Sequence, residues 1–281
     1  MGRPEEASGA LSKQGDDVPP PPYQESSDAT SSQPLHQQVR STQNANFSAA
    51  QPQQQAYINR QFPGKFSMYS QSGGFGTTYY LGEHGSHPLY IVKTHTGWSG
   101  SPDVVLHSGP SESSPPLAGV SANTLSRSAT VELPPLPGSG RTAAEEPLAF
   151  SGFSHGTFTF SIEVGSVGRR ESFEWRHSHG NEVDSLGGSS SGWKLVRLAT
   201  DAPGGQGKGS HFVGGGPQSS DAKEVVAVWS NARMSMSKLF NFQFLGSGVT
   251  GALGERWAVM AVITALRIWD KERKARSAAA A

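Results

Sequence analysis

The stretch RWAVMAVITALRIW, residues 256–269, decides how the fold of this chain is interpreted. Between Arg256 and Arg267 it has ten consecutive residues without a charge, which is too apolar for a helix with one face in water. A membrane-spanning helix needs about 20 apolar residues, whereas a run of about 10 to 14 more often lies inside a protein. The stretch therefore predicts a helix that the rest of the chain encloses.

Short segments with an apolar residue at every second position precede this helix. In TFTFSIEV (157–164), SFEWRHS (172–178) and KLFNFQFL (238–245), the alternation places aromatic and aliphatic side chains on one face of a strand. Further segments with strand-like composition are TYYL from 78, LYIVKTH from 89, DVVLHS from 103, LAGVSA from 117, ATVEL from 129, LAFSGF from 148, WKLVRLAT from 193 and EVVAVWS from 224. Turn residues separate them. The sequence thus predicts about eleven strands and one terminal helix.

A barrel of more than about eight strands encloses a space that a helix, about 10 to 12 Å across, can fill. The residues from Trp257 to Trp269 would rise about 20 Å, close to the height of a barrel built from strands of five to six residues. We therefore predict a mainly β domain, a closed barrel of about 11 to 12 strands around a buried C-terminal helix. Arg267 would need the rim or a partner. The helix residues expected to be buried are Trp257, Val259, Met260, Val262, Ile263, Leu266, Ile268 and Trp269.

The first part of the chain has a different composition. Over residues 1–74, Ser, Gln and Pro dominate, and isolated aromatic residues have no periodic neighbours. Such a segment cannot bury enough apolar surface to offset an ordering cost of about 1 to 2 kcal/mol per residue. We predict a disordered tail over 1–74, the barrel domain over 75–275 and a disordered end over 276–281. Long loops are expected at 109–116, 134–146 and 201–222.

One motif in the predicted tail has a known binding mode. Pro20, Pro21, Pro22 and Tyr23 follow Pro19 and spell PPPPY, which contains the PPxY pattern that WW domains bind. Prolines favour the polyproline II conformation, and the tyrosine ring fills an aromatic-lined groove. The alternative is an inert proline spacer, because short patterns also occur by chance in low-complexity sequence. Usual readers of such a motif include HECT-type ubiquitin ligases, so the resemblance implies a partner in sorting or turnover.

Composition limits the remaining classes of function. Basic and acidic side chains number 23 each, so the overall charge indicates neither a nucleic-acid partner nor a polybasic membrane arm. The chain has no cysteine, which excludes disulfides, thiolate metal sites and palmitoyl anchors. The start, MGRPEEASG, lacks the apolar region of a signal peptide. We expect a cytoplasmic protein without a transmembrane span, at most peripheral at membranes.

Three motifs that resemble enzyme sites lack the required context. GSSSG (188–192) matches a nucleophile elbow formally, but it precedes the strand-like WKLVRL instead of a helix. His177 and His179 share a strand face with Glu182 nearby, yet no clear third and fourth metal ligand is present. GQGKGS (205–210) has Gly where a phosphate-binding loop needs Ser or Thr after its lysine. We therefore expect a non-enzymatic protein without a metal or cofactor.

Many short strands followed by a C-terminal apolar helix carry a family resemblance, together with five segments. In chain order, these are FEWRHSHGNEVDSL, SGWKLVRL, EVVAVW, FQFLGSG and LGERWAVMAVITALRIW. They resemble the tubby-like C-terminal fold of tubby proteins, phospholipid scramblases and LURP-one-related proteins, in particular a fungal branch of that superfamily. The resemblance covers roughly residues 76 to 272 and implies a barrel around a buried helix. Tubby barrels dock on phosphoinositide head groups through surface Lys and Arg, and scramblases are associated with calcium and lipid movement.

The chain departs from the scramblase pattern and leaves the lipid site open. Around FLGSGVTGALGERW there is no dense acidic cluster for calcium, and no cysteine is available for acylation, so scramblase activity is disfavoured. A phosphoinositide site would need cations that converge on the phosphate from neighbouring strands. They are Arg169, Arg170, Arg176, Lys194 and Arg197. The alternative is that these cations are simply solvated, and neighbouring glutamates would weaken their field.

Two hypotheses of different classes follow. The first is an adaptor whose barrel docks on a membrane lipid, such as a phosphoinositide, or on a protein, while PPPPY recruits a WW-domain protein. The second is a carrier of a hydrophobic ligand, or a scramblase-like lipid-handling protein, that uses the barrel lumen. A purely structural domain is a third interpretation. The terminal helix discriminates the first two, because a filled lumen leaves no space for a ligand.

Overall fold

A computed structural model describes residues 61–73, 76–95, 100–123, 127–135, 143–152, 156–165, 169–198 and 217–281 of the chain. Within these ranges, twelve antiparallel strands form one closed barrel, and a long helix follows at the C-terminal end. The predicted fold, mainly β with a closed barrel and a C-terminal helix, is confirmed. The PPPPY motif and the GQGKGS segment lie outside the described residues.

The strands follow one another around the barrel in chain order, and β1 pairs with β12 to close it. The strands are β1 Lys65–Gly73, β2 Gly76–Gly82, β3 Tyr90–Thr94, β4 Val104–His107, β5 Pro116–Ala122, β6 Ala129–Leu133, β7 Ala144–Ser151, β8 Thr157–Val164, β9 Arg169–Ser178, β10 Gly192–Arg197, β11 Val225–Asn231 and β12 Lys238–Phe244. The helices are α1 Asn181–Asp184, α2 Gly246–Thr250 and α3 Glu255–Ala279. Because each strand forms a hairpin with the next, alternate loops lie at the same end of the barrel.

Strand β1, which closes the barrel, is the one strand among the twelve that the sequence did not predict. In β1, Phe66 and Met68 face the core and pair in register with Phe242 and Phe240 of β12. The predicted domain start at residue 75 is therefore too late, because β1 begins at Lys65. Three of the nine residues of this strand, KFSMYSQSG, are serine and one is glutamine, so its composition resembles that of the preceding tail. The predicted disordered end is also too long, since α3 continues to Ala279.

The alternating segments face the core as predicted. In β8, Phe158, Phe160, Ile162 and Val164 are buried, and the residues between them are only partly covered. Aromatic side chains from neighbouring strands then stack inside the barrel. Phe66 lies 4.9 Å from Phe242, and Trp229 lies 5.2 Å from Phe240, measured between ring centroids. Pairs of this kind contribute about 0.5 to 1.5 kcal/mol each beyond the burial of their area. The core is therefore largely aromatic.

Helix α3 fills the interior of the barrel. It packs against β4, β5, β6 and β8, and side chains of other strands reach it as well. Trp257 lies 5.7 Å from both Phe173 of β9 and Phe244 of β12, measured between ring centroids. Trp269 meets Tyr79 of β2 edge to face at 5.2 Å. The predicted burial is confirmed for the whole set, Trp257, Val259, Met260, Val262, Ile263, Leu266, Ile268 and Trp269.

A polar side chain inside α3 is fully hydrogen-bonded. The indole N–H of Trp175 donates to Thr264 Oγ1 at 2.9 Å, and the Thr264 hydroxyl donates to the carbonyl of Met260 at 2.7 Å. Burial of a hydroxyl without such partners would be costly. This pair therefore fixes the rotation of α3 against β9. Among the described residues, no helix combines the length and apolar character needed to span a bilayer.

The two ends of the barrel differ in which elements they carry. At the lower end, α2 and the start of α3 lie beside the beginning of β1, where the backbone N–H of Gln61 donates to Glu255 Oε2 at 2.9 Å. At the upper end, α3 leaves the barrel beside the loop between β11 and β12. There Arg276 donates to Asn231 Oδ1 at 3.4 Å. The described part of the chain thus starts at the lower end, at Gln61.

Charged residues of α3 come together where the helix reaches the upper end. Asp270 is fully buried, and its carboxylate accepts from Arg273 at 2.6 Å and lies 2.7 Å from Lys274 Nζ. Arg267 lies 3.8 Å from Asp270 and 4.0 Å from Asp103. The prediction that Arg267 finds a partner at the rim is therefore confirmed. A buried carboxylate with several cationic neighbours avoids the cost of an unpaired charge.

We expect Trp257→Asp to unfold the barrel. The change removes a large buried ring and places an unpaired carboxylate in the aromatic core, at a combined cost above about 5 kcal/mol, comparable to the total stability of a domain. The measurement is a thermal melt followed by far-ultraviolet circular dichroism. Leu89→Asp, at a position that is 39% exposed, is the control and should melt like the parent. A normal cooperative melt of Trp257→Asp would mean that α3 is not packed inside the barrel.

Candidate functional site

The five cations predicted to bind an anion lie on the neighbouring strands β9 and β10 but form separate groups. Arg176 and Lys194 are directly opposite each other across the two strands. Arg169 is seven residues from Arg176 along β9, which corresponds to about 23 Å at 3.3 Å per residue. A single phosphate group cannot contact cations so far apart. The structure therefore brings some of these residues together but does not form one site from all five.

Each of the five cations also has a carboxylate partner. The pairs are Arg169 with Glu171, Arg170 with Glu146 and Glu163, Arg176 with Glu174 and Asp221, Lys194 with Glu182, and Arg197 with Glu171 and Glu224. An incoming phosphate would have to compete with these intramolecular partners for every cation. The pairing therefore weighs against a lipid site at these positions and favours a structural role for them.

The most buried of these pairs closes the lower end of the barrel. Arg197 donates to both oxygens of Glu171, at 2.6 and 2.8 Å, and lies 3.3 Å from Glu224. Glu224 also accepts from the backbone N–H of Ser247, the second residue of α2. Both glutamates are buried. The network thus connects β9, β10 and the segment before β11 to α2, the helix that precedes α3 in the chain.

The network holds its central carboxyl in the ionised form. Burial raises the pKa of Glu171, but hydrogen bonds and charge interactions with Arg197 and Arg169 outweigh burial, so this pKa lies below its ordinary value of 4.5. On the outer face, hydrogen bonds from Ser219 and then Arg176 lower the pKa of Asp221 to about 2. These carboxylates therefore remain charged at neutral pH and keep their arginines occupied.

Of the three motifs that resemble enzyme sites, the two within the described residues, GSSSG and the His177–His179 pair, lie on the barrel surface. Residues 188–191 connect α1 to β10, so a strand follows the formal nucleophile motif, as its sequence context indicated. Ser191 Oγ lies 3.0 Å from His177 Nε2, and the rings of His177 and His179 meet edge to face at 5.2 Å. Across the described part of the chain, no three His, Asp or Glu residues are grouped so as to hold a metal ion.

Within the described residues, α3 and the side chains packed around it occupy the barrel interior. Near the lower end, a cleft lined by residues that include Phe62, Phe244, Gly248 and Trp257 has a volume of about 20 Å³. That is space for one or two water molecules. A Cβ atom on Gly248 would come within 2.8 Å of the Trp257 ring, so the glycine is needed for this close approach. The carrier hypothesis would therefore require α3 to leave the barrel.

A surface that sequence analysis missed lies at the upper end. Residues 232–237, here called the methionine loop, join β11 to β12. Met234 and Met236 are 104% and 101% exposed, so neither side chain packs against the domain. The sequence signal was the alternation in RMSMS, two large apolar residues in a turn where polar residues are the norm. The sequence did not reveal that the two methionines are exposed, because the same alternation is typical of a half-buried strand.

Cations without acidic partners surround the methionine loop. Arg233 is exposed, Lys238 Nζ lies over the Tyr69 ring at 5.7 Å, and Arg276 comes from the end of α3. Among the residues that the structure describes, none of these three cations is paired with a carboxylate. The upper end therefore combines free positive charge with exposed apolar side chains, unlike the charge-compensated strands β9 and β10.

Comparisons with known proteins identify no similar protein. The chain matches no protein-family model, and neither the curated proteins nor the solved structures include a match. The resemblance to the tubby-like superfamily therefore stays a prediction from sequence.

We expect Glu171→Gln to destabilise the barrel at neutral pH by about 1.5 to 3 kcal/mol, the contribution of a charged hydrogen bond. Because the pKa of Glu171 is lower in the folded than in the unfolded state, its contribution is present above about pH 4.5 and is lost as the pH falls through the folded value. The variant should thus lose less stability than the parent between pH 7 and pH 3. Urea unfolding at several pH values measures this difference.

The control for this experiment is Glu112→Gln. Glu112 forms an exposed ion pair with Lys93 at 2.8 Å, so its removal should change stability little. Identical pH profiles for Glu171→Gln and the parent would show that the network at the lower end contributes nothing to the pH dependence of folding.

Proposed function

We propose that this chain is a non-enzymatic adaptor, in which the barrel docks on a membrane lipid or a protein and the PPPPY motif recruits a WW-domain protein. The observation that supports this proposal best is the filled barrel. Because α3 occupies the interior, partners have access only to the outer surface and to the chain outside the barrel. Both of the proposed contacts use such regions.

The recruiting contact is Pro20 to Tyr23. Its recognition needs only a short polyproline II segment and one aromatic ring, so it does not depend on the barrel fold. Tyr23 precedes the first strand by 42 positions in the sequence. A HECT-type ubiquitin ligase is the class of WW-domain protein that the motif resemblance implies. The adaptor would then link the surface on which the barrel docks to sorting or turnover.

The docking contact is proposed to be an anionic lipid, with a phosphoinositide as the specific form implied by the tubby-like resemblance. Such docking places the protein in the cytoplasm and peripherally at membranes. The five cations on β9 and β10 have carboxylate partners and are poor candidates for the head group. The cations at the upper end are better candidates because they are not neutralised within the described part of the chain.

The carrier and scramblase-like alternatives gain no support from the structure. Both need an apolar path or chamber for a lipid tail, whereas the described interior is occupied by α3 and a cleft of about 20 Å³ remains near its start. Release of α3 would expose Trp257, Trp269 and the aliphatic residues between them to water. Each large side chain would lose about 1.5 to 3 kcal/mol of burial.

We expect Tyr23→Ala to abolish capture of the full chain by an array of WW domains, because the ring that fills the groove is lost. Thermal melting of the barrel should not change. Tyr57→Ala is the matched control, since this tyrosine also precedes the barrel but is not part of a PPxY pattern. Equal capture of the Tyr23→Ala variant and the parent would remove the recruiting half of the proposal.

For the docking half, we expect the full chain to float with vesicles that contain anionic lipid and not with neutral phosphatidylcholine vesicles. Flotation should weaken as salt is raised, because the attraction is electrostatic. Phosphoinositide and phosphatidylserine vesicles of matched total charge separate head-group recognition from general charge. Absence of flotation on every vesicle would discard lipid docking, and equal flotation on the two anionic compositions would discard a specific phosphoinositide site.

A further inference from the structure

We infer that the methionine loop is the element through which the barrel docks on an anionic bilayer. Met234 and Met236 enter the interfacial layer of the membrane, and Arg233, Lys238 and Arg276 contact lipid phosphates. This inference rests on the proposed lipid docking and names the surface that performs it. It assigns the contact to the upper end of the barrel, away from the cations that the sequence suggested.

The exposure of the two methionines is the first argument. Single exposed apolar residues are common, but these two occupy alternate positions of one loop and are fully exposed. Leu89, in the loop between β2 and β3 at the lower end, is 39% exposed and still partly covered. Methionine is unbranched and adaptable, which suits insertion among lipid chains and head groups. The loop thus offers apolar area that the domain itself does not use.

The loop is held in place by backbone hydrogen bonds. The N–H of Ser70 donates to the carbonyl of Ser237 at 2.7 Å, and the N–H of Ala232 donates to the carbonyl of Leu239 at 3.0 Å. The N–H of Lys238 donates to Ser235 Oγ at 2.9 Å. Docking therefore does not require the loop to be ordered first, which lowers the cost of binding.

The backbone of Met234 supports a functional role for this arrangement. Its φ is 53°, in the left-handed region that residues other than glycine seldom adopt. Strained backbone of this kind persists only where the surrounding structure imposes it, and it is concentrated at functional sites. Here the turn places Met234 and Met236 outward, with Arg233 and Lys238 on either side of them.

The charge of the residues in and around the methionine loop indicates that the loop binds an anionic membrane. The sequence of the loop and its flanks, NARMSMSK, contains no acidic residue. The two acids of α3 near this end have partners: Asp270 is paired with Arg273 and Lys274, and Glu272 accepts from the indole N–H of Trp193 at 2.7 Å. An apolar pair bordered by cations is typical of segments that lie in the interface of anionic bilayers. Arg276 extends the positive surface beyond the loop to a second element.

The first test is flotation of the full chain on vesicles of phosphatidylcholine with about 30% phosphatidylserine, a composition with a negative surface potential. We expect the double variant Met234→Ser with Met236→Ser to bind at least about tenfold more weakly, because two apolar side chains no longer enter the interface. Leu89→Ser removes an apolar side chain at the opposite end and should bind like the parent. All three proteins should melt alike, since neither methionine packs against the domain.

The second test addresses the cations. Arg233→Gln and Lys238→Gln should each weaken binding about fivefold and reduce its dependence on salt, because each removes one charge near the anionic surface. Lys65→Gln changes the net charge equally at the lower end and should have little effect. Equal losses for Lys65→Gln and Arg233→Gln would show that net charge alone drives binding and would overturn the assignment.

The third test locates the contact directly. Because the chain has no cysteine, Ser237→Cys gives one labelling site for an environment-sensitive fluorophore beside the methionines. Its emission should shift to the blue when vesicles are added, as the probe moves from water into the interface. Ser113→Cys, in the exposed loop between β4 and β5 at the lower end, is the control and should show no shift. A shift at position 113 and not at 237 would place the contact at the lower end.

The outcomes separate this inference from the proposed function. If the parent floats and the methionine double variant floats equally well, the barrel docks on lipid through another surface and only the inference is wrong. If the parent floats on no vesicle, lipid docking and the inference fail together. Capture of a protein that depends on Met234 and Met236, without vesicle binding, would make the loop a protein contact and would overturn the membrane assignment.

Discussion

The burial of α3 inside the barrel is the interaction on which the rest of the structure depends. Twelve strands enclose a wider space than their own side chains can fill. The helix supplies the missing volume, with Trp257 and Trp269 near the two ends of its buried part. In turn, ten uncharged residues in a row cannot face water on any side. Neither element is stable without the other, so the domain forms as one unit, and α3 occupies the interior that the described strands enclose.

Because the interior is filled, a binding site has to lie on the surface. The surface regions differ in whether their cations have carboxylate partners. On β9 and β10, arginines and glutamates neutralise each other and connect the strands to α2, which is a structural task. At the upper end, Arg233, Lys238 and Arg276 have no acidic partner within the described residues, and the two methionines beside them are fully exposed. The same residue types thus stabilise the fold in one place and are free for a ligand in the other. The two regions differ in whether each cation has a carboxylate partner, because the residue types are the same.

The sequence predicted most strands because inward aromatic residues alternate with polar ones, as in TFTFSIEV. It missed β1, KFSMYSQSG, because the strand is rich in serine and only Phe66 and Met68 mark its inner face. The candidate anion site could not be judged from sequence either. Arg170, Arg176 and Arg197 are compensated by Glu146, Asp221 and Glu224, each 24 to 45 positions away in the chain. Such pairing depends on strand neighbours, which periodicity does not reveal.

By itself, the sequence determined that the last apolar segment must be enclosed and that a β-barrel encloses it, because length and polarity are local properties of a segment. It also determined the PPPPY motif, whose proposed recognition by a WW domain requires no fold. Tertiary structure alone decided which charges are neutralised and which side chains are exposed. Arg276 meets Asn231 across 45 positions of sequence because α3 traverses the barrel and leaves it beside the β11–β12 loop. Contacts between residues so far apart in the sequence form only because the closed sheet and its central helix bring those residues together.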